Sequence, residues 1–157
     1  MPKVLIIYFS ETGHTEKMAN HIAEIIKGEG VAVTLKKVEE TDVKELQDYD
    51  GIIIGSPTYY GSMAWQVKKL LDESVKLHGK LQGKVGGAFT SAANIGGGNE
   101  TTILDILHAM LIHGMVVMGE HQGDHYGPVG IGSPDNRSLK CCERMAKNIS
   151  TLVKKMT

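Results

Sequence analysis

The chain reads as an α/β protein built on a doubly wound parallel sheet, and three observations predict that fold. Short apolar runs alternate with segments whose apolar residues recur at helical spacing, the pattern of strands joined by crossover helices. One run, Gly51-Ile52-Ile53-Ile54-Gly55, is apolar throughout, as a strand covered on both faces must be. The first run, Val4 to Phe9, empties straight into a hydroxyl-rich segment, Ser10-Glu11-Thr12-Gly13-His14-Thr15, which opens a helix.

The elements follow in order. Val4 to Phe9 is the first strand, and a helix over 15–27 carries Met18, Ile22, Ile25 and Ile26 on one face. Val31 to Leu35 is the second strand, and Thr41 to Asp48 leaves room only for a short helix. Gly51 to Gly55 is the third strand. The helix after it is expected over 63–76, from the spacing of Met63, Val67, Leu70 and Leu71. Val85 to Ser91 is the fourth strand, followed by a helix over 100–113 with Ile103, Leu107, Met110 and Leu111 inward. Met115 to Gly119 is the fifth strand. A last helix over 136–156 turns Met145, Ile149, Leu152 and Val153 to the core. With no repeat, linker or low-complexity tract, residues 1–157 read as one domain with room for a sizeable core.

Composition excludes several function classes. Seventeen basic against eighteen acidic residues leave a net charge of −1 and no basic stripe, so nucleic acid is not an expected partner. No apolar run approaches the roughly 18 residues of a membrane span, and no signal-peptide core precedes the first strand; a cytoplasmic location is expected. Cys141 and Cys142 are adjacent on a helix, point in different directions and read as two core thiols rather than a disulfide. His121, His125 and Tyr126 share a Gly-rich stretch, but no carboxylate or Cys completes a convincing metal set, and no metal is expected.

In a doubly wound sheet, ligands bind beyond the carboxyl ends of the strands, where the strand order reverses. The loops after strands one, three and four should therefore meet. They are also the most unusual segments of the chain: Ser10 to Thr15, Ser56 to Ser62 (Ser-Pro-Thr-Tyr-Tyr-Gly-Ser), and Thr90 to Asn99, which contains Gly96-Gly97-Gly98. The first loop points backbone N–H groups and a helix N-terminus at one spot, as a phosphate requires. Ser10, Thr12 and Thr15 can add hydroxyls, and Gly13 permits a tight turn beside the ligand. The loop matches neither the Walker pattern nor the dinucleotide fingerprint and contains no Lys or Arg, so a phosphate monoester such as FMN is the expected ligand. Tyr59 and Tyr60 stand out in a chain that is only 5% aromatic, and at least one is expected to lie on a flat ring. His14 could donate to the phosphate or face solvent. His113 is read as a helix-end residue, favourable against the dipole when protonated.

Together these loops resemble the flavodoxin-like FMN proteins, and most closely the NAD(P)H:quinone oxidoreductases of the tryptophan-repressor-binding-protein type. The resemblance spans nearly the whole chain. It rests on the first strand with its phosphate loop, Gly55-Ser-Pro-Thr-Tyr-Tyr-Gly61, Phe89-Thr-Ser91, Gly96-Gly-Gly-Asn-Glu-Thr-Thr102, His113-Gly-Met115 and Tyr126-Gly127. It implies a five-stranded sheet of order 2-1-3-4-5 with helices on both faces. It implies FMN, with the phosphate on Ser10, Glu11, Thr12, Gly13, His14 and Thr15. Pro57, Thr58, Tyr59, Tyr60 and Gly61 would border the isoalloxazine, and a turn of the Gly61 peptide could bring a carbonyl to flavin N5. Ser91, Ala92, Ala93, Asn94, Ile95, Gly96 and Gly97 would meet the pyrimidine edge and ribityl chain. His78, His125 and Tyr126 are the candidates for contact with substrate.

The implied activity carries electrons from NADH or NADPH through FMN to a quinone or a similar small acceptor, with no catalytic protein side chain. A flavodoxin-type carrier that shuttles electrons between redox protein partners is the alternative. Three departures separate this chain from the quinone reductases. The segments between strands two and three and after strand five are abbreviated, so the family's homo-oligomer is not directly inherited. Leu77-His78-Gly79 stands where the family has an aromatic near substrate, and Ile112 where it often has a histidine beside the flavin.

Overall fold

The computed structural model describes residues 1–157. The sheet contains strands β1 (Lys3–Tyr8), β2 (Ala32–Lys37), β3 (Gly51–Pro57), β4 (Val85–Ala92), β5 (Val116–Val117) and β6 (Val129–Ile131). Its order is β2-β1-β3-β4-β5, with β6 also on β4, and every pairing is parallel. Helices α1 (His14–Gly28), α2 (Trp65–Glu73), α3 (Asn99–Ile112) and α4 (Asn136–Met156) cover the two faces.

Strand alternation sorts the core into two halves. Leu5 and Ile7 of β1, with Ile52 and Ile54 of β3, pack beneath α2 and α3 against Val67, Leu70, Ile103, Ile106 and Met110. Val4, Ile6 and Ile53 point the other way, into α1 and α4 residues Met18, Ile22, Ile26, Ala146, Ile149 and Val153. Covered on both sides, these strands have no use for polar positions, which explains why they read as continuous apolar runs. Gly55 is required by this packing. A Cβ there would stand 2.1 Å from the Phe89 ring, which lies across β3.

Three local expectations are corrected. The fifth strand is not the single run Met115 to Gly119. Val116–Val117 pairs with Val85 and Gly86, the chain then leaves the sheet, and Val129–Ile131 returns to pair with Thr90, Ser91 and Ala92. The excursion over 118–128 is fastened by its own polar contacts. Glu120 accepts from the Gln122 N–H and from Asn148, while Asp124 accepts from the Val129 N–H. It closes against β4 at Gly127, where a Cβ would lie 2.1 Å from the Ala88 carbonyl oxygen.

Secondly, α2 begins at Trp65, not Met63, because Ala64 is extended (ψ 145°) and gives its N–H to Ser56 Oγ at 2.8 Å. The helix ends at Glu73 in a 3-10 turn, Ser74–Leu77, and the short helix expected over 41–48 is a 3-10 turn capped by Asp42 and Glu45. Thirdly, His113 does end α3, as its C-cap, but not as a cation facing the dipole. It is 9% exposed, and its Nε2 lies 2.7 Å from Ser74 Oγ. The Ser74 hydroxyl donates to the Leu71 carbonyl, so it accepts from His113 Nε2–H. Burial, with His78 beside it, holds the imidazole below its ordinary pKa, and the ring is neutral rather than a cation at the helix end.

Candidate functional site

The loops after β1, β3 and β4 converge at the carboxyl edge of the sheet on a cleft of about 340 Å3. Glu11, Thr12, His14 and Thr15 line it from the first loop, Pro57, Thr58 and Tyr59 from the second, Ser91, Ala92 and Ala93 from the third. Ten of the residues picked out in the sequence thus share one cavity.

The first loop is shaped by its turn residue. Gly13 adopts φ 95°, in the left-handed region, and forms the N-cap of α1. The Ser10 hydroxyl accepts from the N–H groups of Gly13 (3.2 Å) and Glu16 (3.3 Å), drawing the loop into a ring. The N–H groups of Thr12, His14 and Thr15 donate to no group of the protein. Three free donors at the positive end of a helix make an anion seat that needs no Lys or Arg. Thr15 also has a second task. It is 1% exposed and shares a 2.7 Å hydrogen bond with Ser91 Oγ, which ties the first loop to the third.

The second loop is a tight hairpin. Tyr59 and Ser62 exchange backbone hydrogen bonds of 2.8 and 3.1 Å, with Tyr60 (φ 49°) and Gly61 (φ 81°) at the turn. Positive φ at both central residues is the signature of a type I′ turn. The turn throws the Tyr60 ring fully into solvent and leaves Tyr59 39% exposed, edge-on to Phe9 at 6.5 Å. Thr58 Oγ1 bonds Thr90 Oγ1 at 2.8 Å, fastening the hairpin base to β4.

The far side of the hairpin leans on α3. Thr101 Oγ1 donates to the Gly61 carbonyl at 2.6 Å and Ser62 Oγ to Asp105 at 2.6 Å, while Gly61 Cα presses on Gly98, where a Cβ would be 2.3 Å away. The Gly61 carbonyl is therefore already held toward α3.

The remaining candidates fall elsewhere. Asn94, Ile95, Gly96 and Gly97 form the exposed rim of the third loop, outside the cleft lining. His78 sits after α2, at the opposite edge of the sheet beside His113, with ring centroids 6.1 Å apart. His125 and Tyr126 belong to the 118–128 excursion on the flank of the sheet, where His125 Nδ1 bonds the Glu120 carbonyl. None of the three lines the cleft. Sequence reasoning missed Asp105 and the part that Thr90 and Thr101 play in seating the hairpin, since all three look like ordinary strand and helix residues until the hairpin is placed on them. It also missed Gly132, a cleft residue that follows β6.

A doubly wound parallel sheet with an anion seat at its switch point and an aromatic hairpin beside it defines a nucleotide-monophosphate protein of flavin type. Comparison with known proteins narrows this. The flavodoxin domain family model matches residues 5–93, and the chain belongs to that family. It is 43% identical to a protein of Sinorhizobium fredii named NAD(P)H dehydrogenase (quinone), over 76% of this chain and 71% of that protein. It is 36% identical to a flavodoxin of Aquifex aeolicus, over 98% of this chain and 88% of that one. Among solved structures, a flavodoxin, WrbA-like protein from Agrobacterium tumefaciens superposes with a TM-score of 0.87 at 25% identity, covering all of both chains.

Family membership implies FMN as cofactor, and the residues fit it. The free N–H groups of Thr12, His14 and Thr15 suit a phosphate monoester, and Tyr59 and Tyr60 offer ring surface at the mouth.

Proposed function

We propose that this protein is an FMN-dependent oxidoreductase that takes electrons from NADH or NADPH and passes them to a quinone or a similar small acceptor. The observation that carries the cofactor assignment is the Ser10–Thr15 seat, with the free N–H groups of Thr12, His14 and Thr15 and no Lys or Arg. The quinone assignment is supported by the S. fredii relative, and the net charge of −1 lacks the broad acidic field that would steer basic protein partners.

When bound, FMN supplies the redox chemistry, accepting a hydride from the nicotinamide and passing electrons on. The protein's residues do the rest. Thr12, His14 and Thr15 would hold the phosphate by backbone N–H groups, and the α1 dipole would offset its charge. Tyr59 and Tyr60 border the ring. Thr101 restrains the Gly61 carbonyl and thereby the shape of the hairpin that would border the ring.

The Aquifex flavodoxin, matched over 98% of this chain, supports a second reading, a carrier that exchanges electrons only with redox proteins. Anaerobic mixing of the FMN-loaded protein with NADH, then NADPH, separates the two. Rapid bleaching of the oxidised flavin band, reversed by benzoquinone, is the result expected of the reductase. Bleaching by dithionite but by neither nucleotide would contradict it and favour the carrier.

A further inference from the structure

Across the mouth of the cleft, the Tyr59 hydroxyl donates to Glu11 Oε2 at 2.8 Å. This hydrogen bond joins two walls that lie 48 residues apart in the chain. Tyr59 is well placed to hold it, since its backbone is fixed by Ser62 and its ring stands edge-on to Phe9 at 74°. Burial and the Glu11 carboxylate push the Tyr59 phenol up to about 12, so Tyr59 keeps its proton and remains the donor.

Glu11 is an awkward neighbour for a phosphate. It lies within the anion-binding loop and is the only acidic residue lining the cleft, while no Lys or Arg lines it at all. His14 is the only basic side chain there. A carboxylate free to swing over this loop would repel a phosphate dianion, and because Glu11 is exposed that repulsion is screened by salt. In the structure that carboxylate is committed to Tyr59 instead.

Resting on the FMN reading above, we propose that Tyr59 is a positioning residue that holds the Glu11 carboxylate clear of the phosphate seat, so that the Glu11–Tyr59 clasp sets how strongly the cleft prefers a phosphorylated flavin. The clasp acts on charge. Loss of the Tyr59 hydroxyl therefore harms binding of FMN but spares riboflavin, which has the same ring and ribityl chain without the phosphate. Removing the Glu11 charge as well removes the harm. A Tyr59 that merely packs against the ring would affect both flavins alike and would be indifferent to Glu11.

The test is a double-variant cycle on the apoprotein, with FMN and riboflavin affinities read from quenching of flavin fluorescence at low and high salt. Tyr59→Phe is expected to weaken FMN about tenfold and riboflavin less than about twofold, with the FMN loss shrinking at high salt. Glu11→Gln combined with Tyr59→Phe is expected to restore FMN binding to near the wild-type value. Equal losses of FMN and riboflavin in Tyr59→Phe, or no recovery on adding Glu11→Gln, would overturn the clasp and leave the cofactor reading intact. Wild-type protein that binds riboflavin as tightly as FMN would overturn the cofactor reading, and the clasp with it. Thermal unfolding of each apo variant within a few degrees of wild type verifies that the comparison is made between folded proteins.

Discussion

Replacing Gly98 with Ala strikes the joint on which the aromatic hairpin rests. Gly98 has φ 103°, and a Cβ there would lie 2.3 Å from Gly61 Cα and 3.0 Å from its carbonyl carbon. Both obstacles are backbone, so the hairpin itself must retreat. Holding an L-residue in the left-handed region costs roughly 1–2 kcal/mol. Retreat also breaks the Thr101–Gly61 hydrogen bond, worth about 1 kcal/mol. The loss is about 2–3 kcal/mol, which lowers the urea midpoint by about 1–1.5 M at a slope of about 2 kcal/mol/M.

Because the displaced element carries Tyr59 and Tyr60, FMN affinity should fall by about tenfold or more in the same variant. Thr101→Val separates the two contributions. It removes the hydroxyl, which is shared between the Gly61 and Gly98 carbonyls at 2.6 and 2.9 Å, without adding an atom at Gly98, and should cost only about 1 kcal/mol. Urea denaturation followed by circular dichroism, with FMN titration of each variant, measures both effects. A Gly98→Ala protein with wild-type midpoint and wild-type FMN affinity would refute the account of how the hairpin is seated.

Further outcomes follow from single contacts. Ser91→Ala strands the buried Thr15 hydroxyl and should cost about 1–3 kcal/mol, and adding Thr15→Val should cost less than the two single losses together; urea midpoints of the three variants check this. His113 is held below its ordinary pKa of 6.5 in the fold, so the unfolded chain takes up its proton first as pH falls. Its contribution is fully present above pH 6.5 and is lost as pH drops toward the depressed folded value; urea midpoints from pH 8 to 5 should fall less steeply in His113→Gln than in wild type. Gly127→Ala should drive a methyl into the Ala88 carbonyl and loosen the 118–128 excursion, seen as faster amide exchange at Thr90, whose N–H bonds the Pro128 carbonyl.

Much of the molecule was legible before the structure because its signals are local. A buried parallel strand must be apolar along its whole length, so β1 and β3 stood out, and the strand-to-helix junction at Ser10–Thr15 carries its turn residue, Gly13, in the sequence itself. The helices announced themselves by spacing. What escaped depended on distant contacts. Ser56 Oγ sets the first turn of α2 from eight residues away, and Met63 has the right spacing for a helix it does not join. The fifth strand stops because the chain is drawn off by Glu120 and Asp124, whose partners on α4 and β6 come later. His113 is the helix end that it looks like, but nothing beside it in sequence reveals Ser74, 39 residues earlier, against which it is buried. Glu11 and Tyr59 were each picked out for flavin contact, but their bond to one another was invisible.

The most direct test of the central claim, that Ser10–Thr15 seats the phosphate of FMN, is calorimetric titration of the wild-type apoprotein with FMN and with riboflavin. Charge-assisted hydrogen bonds are worth about 1.5–3 kcal/mol each, so even one such bond to the phosphate predicts FMN binding at least about tenfold tighter. Equal affinity for the two flavins would contradict the account.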